Sequence, residues 1–370
     1  MRNWAQQPGV AETVLWTIIK PLQKAVGEFQ RTGRYGPGNF NPMKSTRREF
    51  VRAAAAGVCV LTFRPPAHAA SQIKELRFGM CADVHKDIMH DADERLATFL
   101  EAMREKRAHF VAQLGDFCQP KEANDSFREV WQSWQGDRYD VIGNHDMDGG
   151  KTRQQFRDYV GMEAGHYTFL QQGFRFIVLD GNDRHENAPG GYPRHIGSEQ
   201  RVWLAETLAT TTEPVIVLSH QSLENASGVD NGSEVRAILE DANDRAGWGR
   251  VLVCFSGHHH LDDLIEINGI PYIQVNSMSY KWVGGSKKHE SYSKEIHESH
   301  PWIEYTCPYA DPLWAYVTID PAGELRIEGI RSKWVGPSPE ALGYPEGKDT
   351  RGITPNVTER TLDLDMRLDD

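Results

Sequence analysis

Five apolar runs of this 370-residue chain each end at aspartate, asparagine or histidine. Helical patterns separate several of the runs, and this alternation predicts a layered α/β fold. The carboxyl ends of strands are where open α/β sheets place their ligand sites. We therefore expect the polar residues that follow the runs to meet in one site. The segments are Asp83-Val84-His85, Gly115-Asp116, Gly143-Asn144-His145-Asp146, Ser219-His220 and Gly257-His258-His259-His260.

The residue types and spacings in these segments indicate a metal centre. Carboxylate, amide and imidazole groups are the oxygen and nitrogen ligands that divalent first-row metals prefer. Asp83 and His85 are two residues apart, as are His258 and His260, so each pair lies on one side of an extended segment. A single residue of this kind is more often a helix cap or a structural histidine. Five such segments, each behind an apolar run, predict metal ligands.

Taken in order, D-x-H, G-D, G-N-H-D, H and G-H-x-H resemble the motifs of the calcineurin-like metallophosphoesterase superfamily, from about Arg77 to Val275. The resemblance implies an α/β fold, a four-layer α-β-β-α sandwich of two mixed sheets flanked by helices. It also implies two metal ions, and the mixed nitrogen and oxygen ligands suit Mn, Fe or Zn. One metal would be held by Asp83, His85, Asp116 and His260, and the second by Asp116, Asn144, His220 and His258, with Asp116 bridging.

The same resemblance implies a mechanism. Two neighbouring cations clamp the phosphoryl oxygens and lower the pKa of a bridging water, and the resulting hydroxide attacks phosphorus in line with the leaving group. His145 matches the catalytic histidine of the family, which neutralises charge on the phosphoryl group or protonates the leaving oxygen. Asp146, the next residue, is a candidate catalytic partner of His145.

Departures from known branches narrow the subclass. Phe117-Cys118-Gln119 follows Asp116, where protein Ser/Thr phosphatases have V-D-R-G and purple acid phosphatases have a tyrosine at the third position. The G-N-H-D motif is closer to the cyclic-nucleotide phosphodiesterase and the ADP-ribose or CDP-alcohol diphosphatase branches. We expect a small phosphorylated substrate, with a nucleotide-like molecule as one option. Two segments, 183–196 and 281–312, are predicted to form rim loops that contact the substrate, through His185, Tyr192, His195 and Trp282.

Several alternatives stay open at this stage. The motifs do not distinguish a phosphodiesterase from an alkaline-phosphatase-like phosphomonoesterase that acts on small phosphorylated metabolites. A catalytically silent relative that binds metal or ligand is a third reading, although no motif residue is missing. A nuclease and other nucleic-acid binding are disfavoured, because 31 Lys+Arg stand against 49 Asp+Glu after residue 69, a net charge of −18.

The N-terminal residues have the order of an export signal. Arg47-Arg48 is followed by an apolar run from Ala53 to Phe63 and then by Ala67-His68-Ala69, which resembles a twin-arginine signal peptide. We predict export by the twin-arginine machinery to the periplasm or the extracellular space, cleavage near Ala69/Ala70, and no membrane span in the mature form. The predicted organisation begins with residues 1–42, which are either an over-extended gene start or a dispensable extension. A signal peptide at 43–69, a metallophosphoesterase domain at 70–336 and a loosely packed polar tail at 337–370 follow.

Overall fold

The computed structural model of the chain describes residues 73–186, 188, 190–345 and 351–366. The predicted signal peptide and the segment before it lie outside these residues. The helices are α1 (Ala92–Glu105), α2 (Asp125–Gln132), α3 (Arg153–Val160), α4 (Ser198–Thr210), α5 (Gly232–Ala246) and α6 (Lys294–Ser299). Short 3₁₀ turns cover Glu122–Asn124, His145–Gly150, Gly285–Lys287 and Pro301–Tyr305.

The strands form two six-stranded mixed sheets and two short ribbons. They are β1 (Leu76–Cys81), β2 (Phe110–Gln113), β3 (Asp137–Asp140), β4 (Tyr167–Gln171), β5 (Phe174–Val178), β6 (Val215–Ser219), β7 (Val251–Ser256), β8 (Asp263–Ile267), β9 (Ile270–Gln274), β10 (Tyr280–Trp282), β11 (Thr306–Pro308), β12 (Ala315–Ile319), β13 (Glu324–Ile327), β14 (Ile330–Arg331), β15 (Asn356–Val357) and β16 (Arg360–Asp363). The first sheet has the order β16-β13-β12-β1-β2-β3 and the second β4-β5-β6-β7-β9-β8. The ribbons are β10-β11 and β14-β15.

Parallel strands occupy the part of each sheet that leads to the site. β1, β2 and β3 are parallel in the first sheet, and β5, β6, β7 and β9 are parallel in the second. Every residue of β6 and β7 is buried, which explains why both appear in the sequence as uninterrupted apolar runs. The antiparallel hairpin β8-β9 turns at Asn268-Gly269, where both residues have a positive φ, of 51° and 77°.

The side chains of the two sheets form the central core. Phe78 of β1 stacks on Phe110 of β2 with ring centroids 5.0 Å apart, and Phe78 meets Phe176 of β5 and Phe255 of β7 edge-on at 5.5 Å and 6.1 Å. Because alternate residues of a strand face opposite sides, the other faces of the sheets are free to pack against helices.

Helices cover the outer faces of both sheets. Leu96 and Phe99 of α1 belong to one buried cluster with Val111 of β2, and Leu204 of α4 and Leu239 of α5 belong to another with residues of β6. The order of layers is therefore helix, sheet, sheet, helix, which confirms the predicted four-layer sandwich. No helix in the described part of the chain is both long and apolar enough to cross a membrane.

Two elements differ from the sequence prediction. The third strand of the first sheet is Asp137–Asp140, although the apolar character of Val141 and Ile142 predicts a strand at that pair. β3 lies at a sheet edge, where polar side chains remain hydrated, so the apolar signal falls beside the strand. The expected loose tail contributes β16, which pairs with β13 from Glu324↔Asp363 to Ile327↔Arg360. An edge strand of four residues gives too weak an alternation to be recognised in the sequence.

Candidate metal centre

The predicted ligands lie in two adjoining clusters at the ends of β1, β2, β6 and β7. Asp83, His85 and His260 form the first, and Asp116, His220 and His258 form the second. Within each cluster, one ligand atom of every residue lies within 4.8 Å of the others. Strands from both sheets therefore deliver side chains to one place, as the sequence predicts.

Distances in the first cluster are short. His260 Nε2 lies 3.3 Å from Asp83 Oδ1 and 3.2 Å from His85 Nε2. His85 Nε2 is also 3.7 Å from Asp116 Oδ2, an atom of the second cluster. The Asp116 carboxylate thus faces both clusters, which is the position expected of a bridging ligand.

The second cluster is arranged around His220. Its Nε2 atom lies 3.2 Å from Asp116 Oδ2, 3.1 Å from Asn144 Oδ1 and 3.2 Å from His258 Nδ1. The other ring nitrogen of His258, Nε2, contacts the hydroxyl of Tyr192 at 3.2 Å. His258 is therefore oriented with Nδ1 toward the cluster.

Backbone carbonyls fix which ring nitrogen faces each cluster. His220 Nδ1 lies 2.8 Å from the carbonyl oxygen of Leu114, and His260 Nδ1 lies 2.7 Å from that of Tyr280. A carbonyl only accepts, so each Nδ1 donates its hydrogen and, in the neutral ring, Nε2 presents a lone pair. Lone-pair atoms about 3.2 Å apart repel unless a cation lies between them. The same spacing suits nitrogen and oxygen ligands that are each about 2.1 Å from one ion, so the donor set fits two metal ions.

The electrostatics of the clusters favour cations. Burial opposes ionisation of Asp116, but His220 and His145 outweigh it and hold the pKa of this carboxyl well below its usual range. Burial likewise opposes protonation of His220, yet Asp116 and Asp83 raise the pKa of the imidazole to about 9. Burial prevails at His85 and lowers its pKa to about 3. His85 is therefore neutral beside ionised carboxylates, and the positive charge that Asp116 and Asp83 favour at His220 would be supplied by a metal ion in place of the Nε2 proton.

The backbone at the strand ends is strained. Eight described residues other than glycine have a positive φ, and five of them are predicted ligands: Asp83 (52°), His85 (52°), Asp116 (52°), His258 (72°) and His260 (50°). Such left-handed conformations cost roughly 1–2 kcal/mol each in residues with a β-carbon. Their concentration here turns the chain sharply and directs the side chains into the site.

Glycine permits the close approach of neighbouring segments. A Cβ on Gly143 would lie 2.0 Å from the backbone nitrogen of Asp116, and one on Gly257 would lie 2.5 Å from Asp83 Oδ2. The glycines that precede Asn144 and His258 are thus required by contacts with the opposite strand ends.

His145 lies beside both clusters, and its partner is not the predicted one. Its backbone N–H donates to Asp116 Oδ1 at 2.7 Å, and its ring Nδ1 is 2.7 Å from Asp148 Oδ2. Loss of solvent around the ring opposes protonation, but Asp116 and Asp148 raise the pKa of His145 to about 9. Asp148 has extended dihedral angles (φ −61°, ψ 161°), so it leaves the turn before it contacts His145, and no helical periodicity in the sequence indicates this contact.

Asp146 has a different role from the predicted catalytic one. The side chain is fully buried, and its Oδ1 accepts hydrogen bonds from the backbone N–H groups of Phe117 and Cys118 while Oδ2 accepts one from Gly143. Its carboxylate is engaged in joining two ligand-bearing loops. The predicted pairing of Asp146 with His145 is therefore wrong.

A cavity of about 770 Å³ opens onto the clusters, and two of the four predicted substrate-contacting residues, Tyr192 and Trp282, line it. His185 and His195 are instead engaged with Asp230, at 3.1 Å and 2.6 Å, and are not among the lining residues. The prediction for these two histidines is corrected, because the Asp230 carboxylate holds both rings outside the cavity.

Tyr280 and Lys281 also line the cavity. Tyr280 is buried, its ring centroid lies 5.2 Å from that of His85, and its hydroxyl has no hydrogen-bond partner among the described residues. Lys281 is also buried and donates to the carbonyl oxygen of His259 at 2.7 Å. Burial lowers the pKa of Lys281 to about 8. Lys281 is the first residue of the predicted rim loop, whereas Tyr280 lies before that loop and no motif spacing connects it to the site.

Comparisons with known proteins agree with this geometry. Residues 76–262, half of the chain, match the family described as calcineurin-like phosphoesterase. No curated protein matches the sequence. A solved structure of a dimetal phosphatase from Danio rerio has a TM-score of 0.50 and 16% identity, covering 70% of this chain and 98% of that one. The anchor in the inner membrane complex of Plasmodium has a TM-score of 0.48 and 16% identity, covering 80% and 90%. With the matching fold and the two His/Asp clusters, the chain belongs to the calcineurin-like phosphoesterase family and is a metal-dependent phosphoester hydrolase.

Proposed function

We propose that this protein hydrolyses a small organic phosphate ester at a centre of two Mn, Fe or Zn ions. The observation that carries the proposal is the pair of donor clusters joined by Asp116. The first ion would be held by Asp83, His85, Asp116 and His260, and the second by Asp116, Asn144, His220 and His258. Two ions held in this way supply positive charge to the phosphoryl oxygens and a hydroxide for in-line attack on phosphorus.

The surrounding protein groups hold the metal-binding histidines in position and supply a proton to the reaction. The carbonyls of Leu114 and Tyr280 keep His220 and His260 in the tautomer that binds. His145, protonated through Asp116 and Asp148, donates from its free ring nitrogen to the phosphoryl group or to the leaving oxygen. Asp148 accepts from Nδ1 and so directs Nε2 toward the substrate.

A phosphodiester is the first candidate substrate. The cavity of about 770 Å³ falls in the size range of sites that enclose whole organic ligands, and it has room for a group on each side of phosphorus. A phosphomonoester is the second candidate, and Lys281 is the observation that favours it. Its buried ammonium has three donors, of which His259 takes one, so it is suited to the extra charge of a monoester.

We further propose that the mature protein acts after export by the twin-arginine machinery. The support is the order of charged, apolar and Ala-x-Ala segments in residues 43–69. The first strand begins at Leu76, so cleavage near Ala69/Ala70 removes no residue of either sheet. N-terminal sequencing of the periplasmic protein should find a start near Ala70, and lysines in place of Arg47 and Arg48 should retain the precursor inside the cell. Cytoplasmic accumulation of the unprocessed wild-type chain would contradict export.

The test of the activity uses the Mn²⁺-loaded protein with bis-p-nitrophenyl phosphate and p-nitrophenyl phosphate. Asp116→Asn should lose bound metal and at least about 100-fold in kcat/KM. The matched control is Asp241→Asn, which removes an exposed carboxylate paired with Arg245 on α5 and should leave the rate unchanged. Preferred turnover of the diester supports a phosphodiesterase, and turnover of the monoester alone supports a phosphatase. Two bound metals per chain without turnover of either ester would favour a silent, ligand-binding relative.

A further inference from the structure

A row of aromatic side chains leads from the candidate metal centre to the mouth of the cavity. The Tyr280 ring lies 5.2 Å from the His85 ring, and Trp282 follows at 6.5 Å from Tyr280. Trp282 is parallel to Tyr305, with centroids 5.4 Å apart and an angle of 3°, and Trp302 lies 5.2 Å from Tyr305. We call Tyr280, Trp282, Tyr305 and Trp302 the aromatic row.

The outer members of the row are exposed to an unusual degree. Trp282 is 39% and Trp302 55% exposed, and Tyr192 on the opposite loop is 43% exposed. The described part of the chain has five exposed large hydrophobic side chains, and these three line the same cavity. Exposed tryptophan next to a reactive centre is typical of a surface that a ligand covers.

Packing within the loop explains only part of this arrangement. Tyr305 stacks on Trp282, and the Lys288 ammonium lies 4.3 Å from the centre of the Tyr305 ring, so Tyr305 is held between two neighbours. This contact fixes the plane of Trp282 but leaves Trp282 and Trp302 exposed. The row also begins at a metal ligand inside a concave site, which suits a small molecule better than a protein surface.

We propose that the aromatic row binds a planar ring carried by the organic part of the substrate, so that the substrate class is phosphate esters of ring-bearing alcohols such as nucleosides. The inference rests on the proposed function, because the phosphoryl group must lie at the metal centre for the ring to reach the row. The ring centroids of His85 and Tyr280 are 5.2 Å apart, and those of Tyr280 and Trp282 are 6.5 Å apart. A sugar between phosphate and base spans a gap of this size.

The test compares two sugar phosphates, one with a planar base and one without. Adenosine 5′-monophosphate and ribose 5-phosphate carry the same sugar phosphate, and only the first has a base. Their dissociation constants are measured by calorimetry on Mn²⁺-loaded His145→Ala protein, and their kcat/KM values on the wild type. Stacking of one base on an aromatic side chain contributes enough to predict at least about tenfold tighter binding of the nucleotide.

Tryptophan variants test whether the aromatic row causes the tighter binding of the nucleotide. Trp282→Ala, and more strongly the double variant with Trp302→Ala, should bring the ratio of the two dissociation constants to within about twofold of one. Trp282→Phe should keep part of the preference, since a smaller ring still stacks. The matched control is Trp248→Ala, because Trp248 packs beneath Arg250 outside the cavity and its loss should leave the ratio unchanged. Metal content and melting temperature verify that each variant is folded.

The outcomes separate this inference from the proposed function. Equal binding of the two probes by a protein that hydrolyses p-nitrophenyl esters overturns the aromatic-row proposal alone. A preference that survives in the double variant also overturns it, because the ring would then bind elsewhere. Absence of both probe binding and ester hydrolysis in the metal-loaded protein overturns the proposed function and the inference with it.

Discussion

Asp148→Asn should lower kcat about fivefold and leave KM and metal content unchanged. Asp148 Oδ2 lies 2.7 Å from His145 Nδ1, and the two side chains are 54% and 43% exposed. A hydrogen bond to a charged group contributes about 1.5–3 kcal/mol when it is shielded from water. An exposed ion pair contributes only about 0.2–1 kcal/mol. Because both side chains are about half exposed, we take the upper end of the range for exposed ion pairs. About 1 kcal/mol corresponds to a fivefold change in rate.

The assay is steady-state hydrolysis of a p-nitrophenyl ester at low and high salt. The difference between wild type and Asp148→Asn should shrink as salt screens the pair, whereas His145→Ala should lose about 10²–10⁴-fold at either salt concentration. Asp146→Asn is the informative contrast. The Asp146 carboxylate accepts hydrogen bonds from three backbone N–H groups. In the variant, the asparagine NH₂ group would face the N–H of Gly143, donor against donor, so the unfolding free energy should fall by about 1–3 kcal/mol. A loss above about 100-fold in Asp148→Asn, or a rate defect without destabilisation in Asp146→Asn, would refute this reasoning.

Three further predictions follow from the geometry. Gly143→Ala should displace Asp116 and reduce bound metal below two ions per chain by elemental analysis, because the new Cβ would lie 2.3 Å from Asp116 Oδ1; full occupancy would contradict this contact. Burial raises the pKa of Asp140 in the folded protein to about 6, above its value in the unfolded chain. The unfolding free energy therefore falls as the pH rises from about 4 to 6. Asp140→Asn, which can still accept from Gln113 and Trp131, should therefore be about 3 kcal/mol more stable than wild type at pH 8 but only about 0.5 kcal/mol at pH 4 in urea unfolding; a constant difference would refute the assignment. Removal of metal by a chelator should lower the melting temperature by several degrees, since ligand binding stabilises the folded state, and an unchanged value would mean that the ions do not bind the folded clusters.

The sequence predicted the central strands well because they are buried on both faces. Residues such as those of β7 must be apolar whichever way they point, so strand and run coincide. Edge strands lack this requirement. The polar β3 and the four-residue β16 are defined by hydrogen bonding to a neighbour that no local pattern reveals.

The residues of the candidate site likewise include some that the sequence could predict and some that it could not. Ligands at strand ends could be predicted because each follows an apolar run directly, and the clusters of the structure contain six of the seven predicted ligands, with Asn144 in contact with His220. Residues that act through tertiary contact could not. The sequence places Asp146 next to His145, but a peptide carries neighbouring side chains in different directions, and Asp148 makes the contact. His185 was expected at the rim, yet its partner Asp230 lies 45 residues away in the chain.

The left-handed backbone of five predicted ligands bears on how this sequence can diverge. Glycine adopts such conformations without strain, so stability alone would favour glycine over aspartate or histidine at these positions. A descendant released from binding metal should therefore substitute them early, while the buried strands in front of them change slowly. Loss of these side chains within an otherwise intact pair of sheets would mark a lineage that kept the fold and gave up the chemistry.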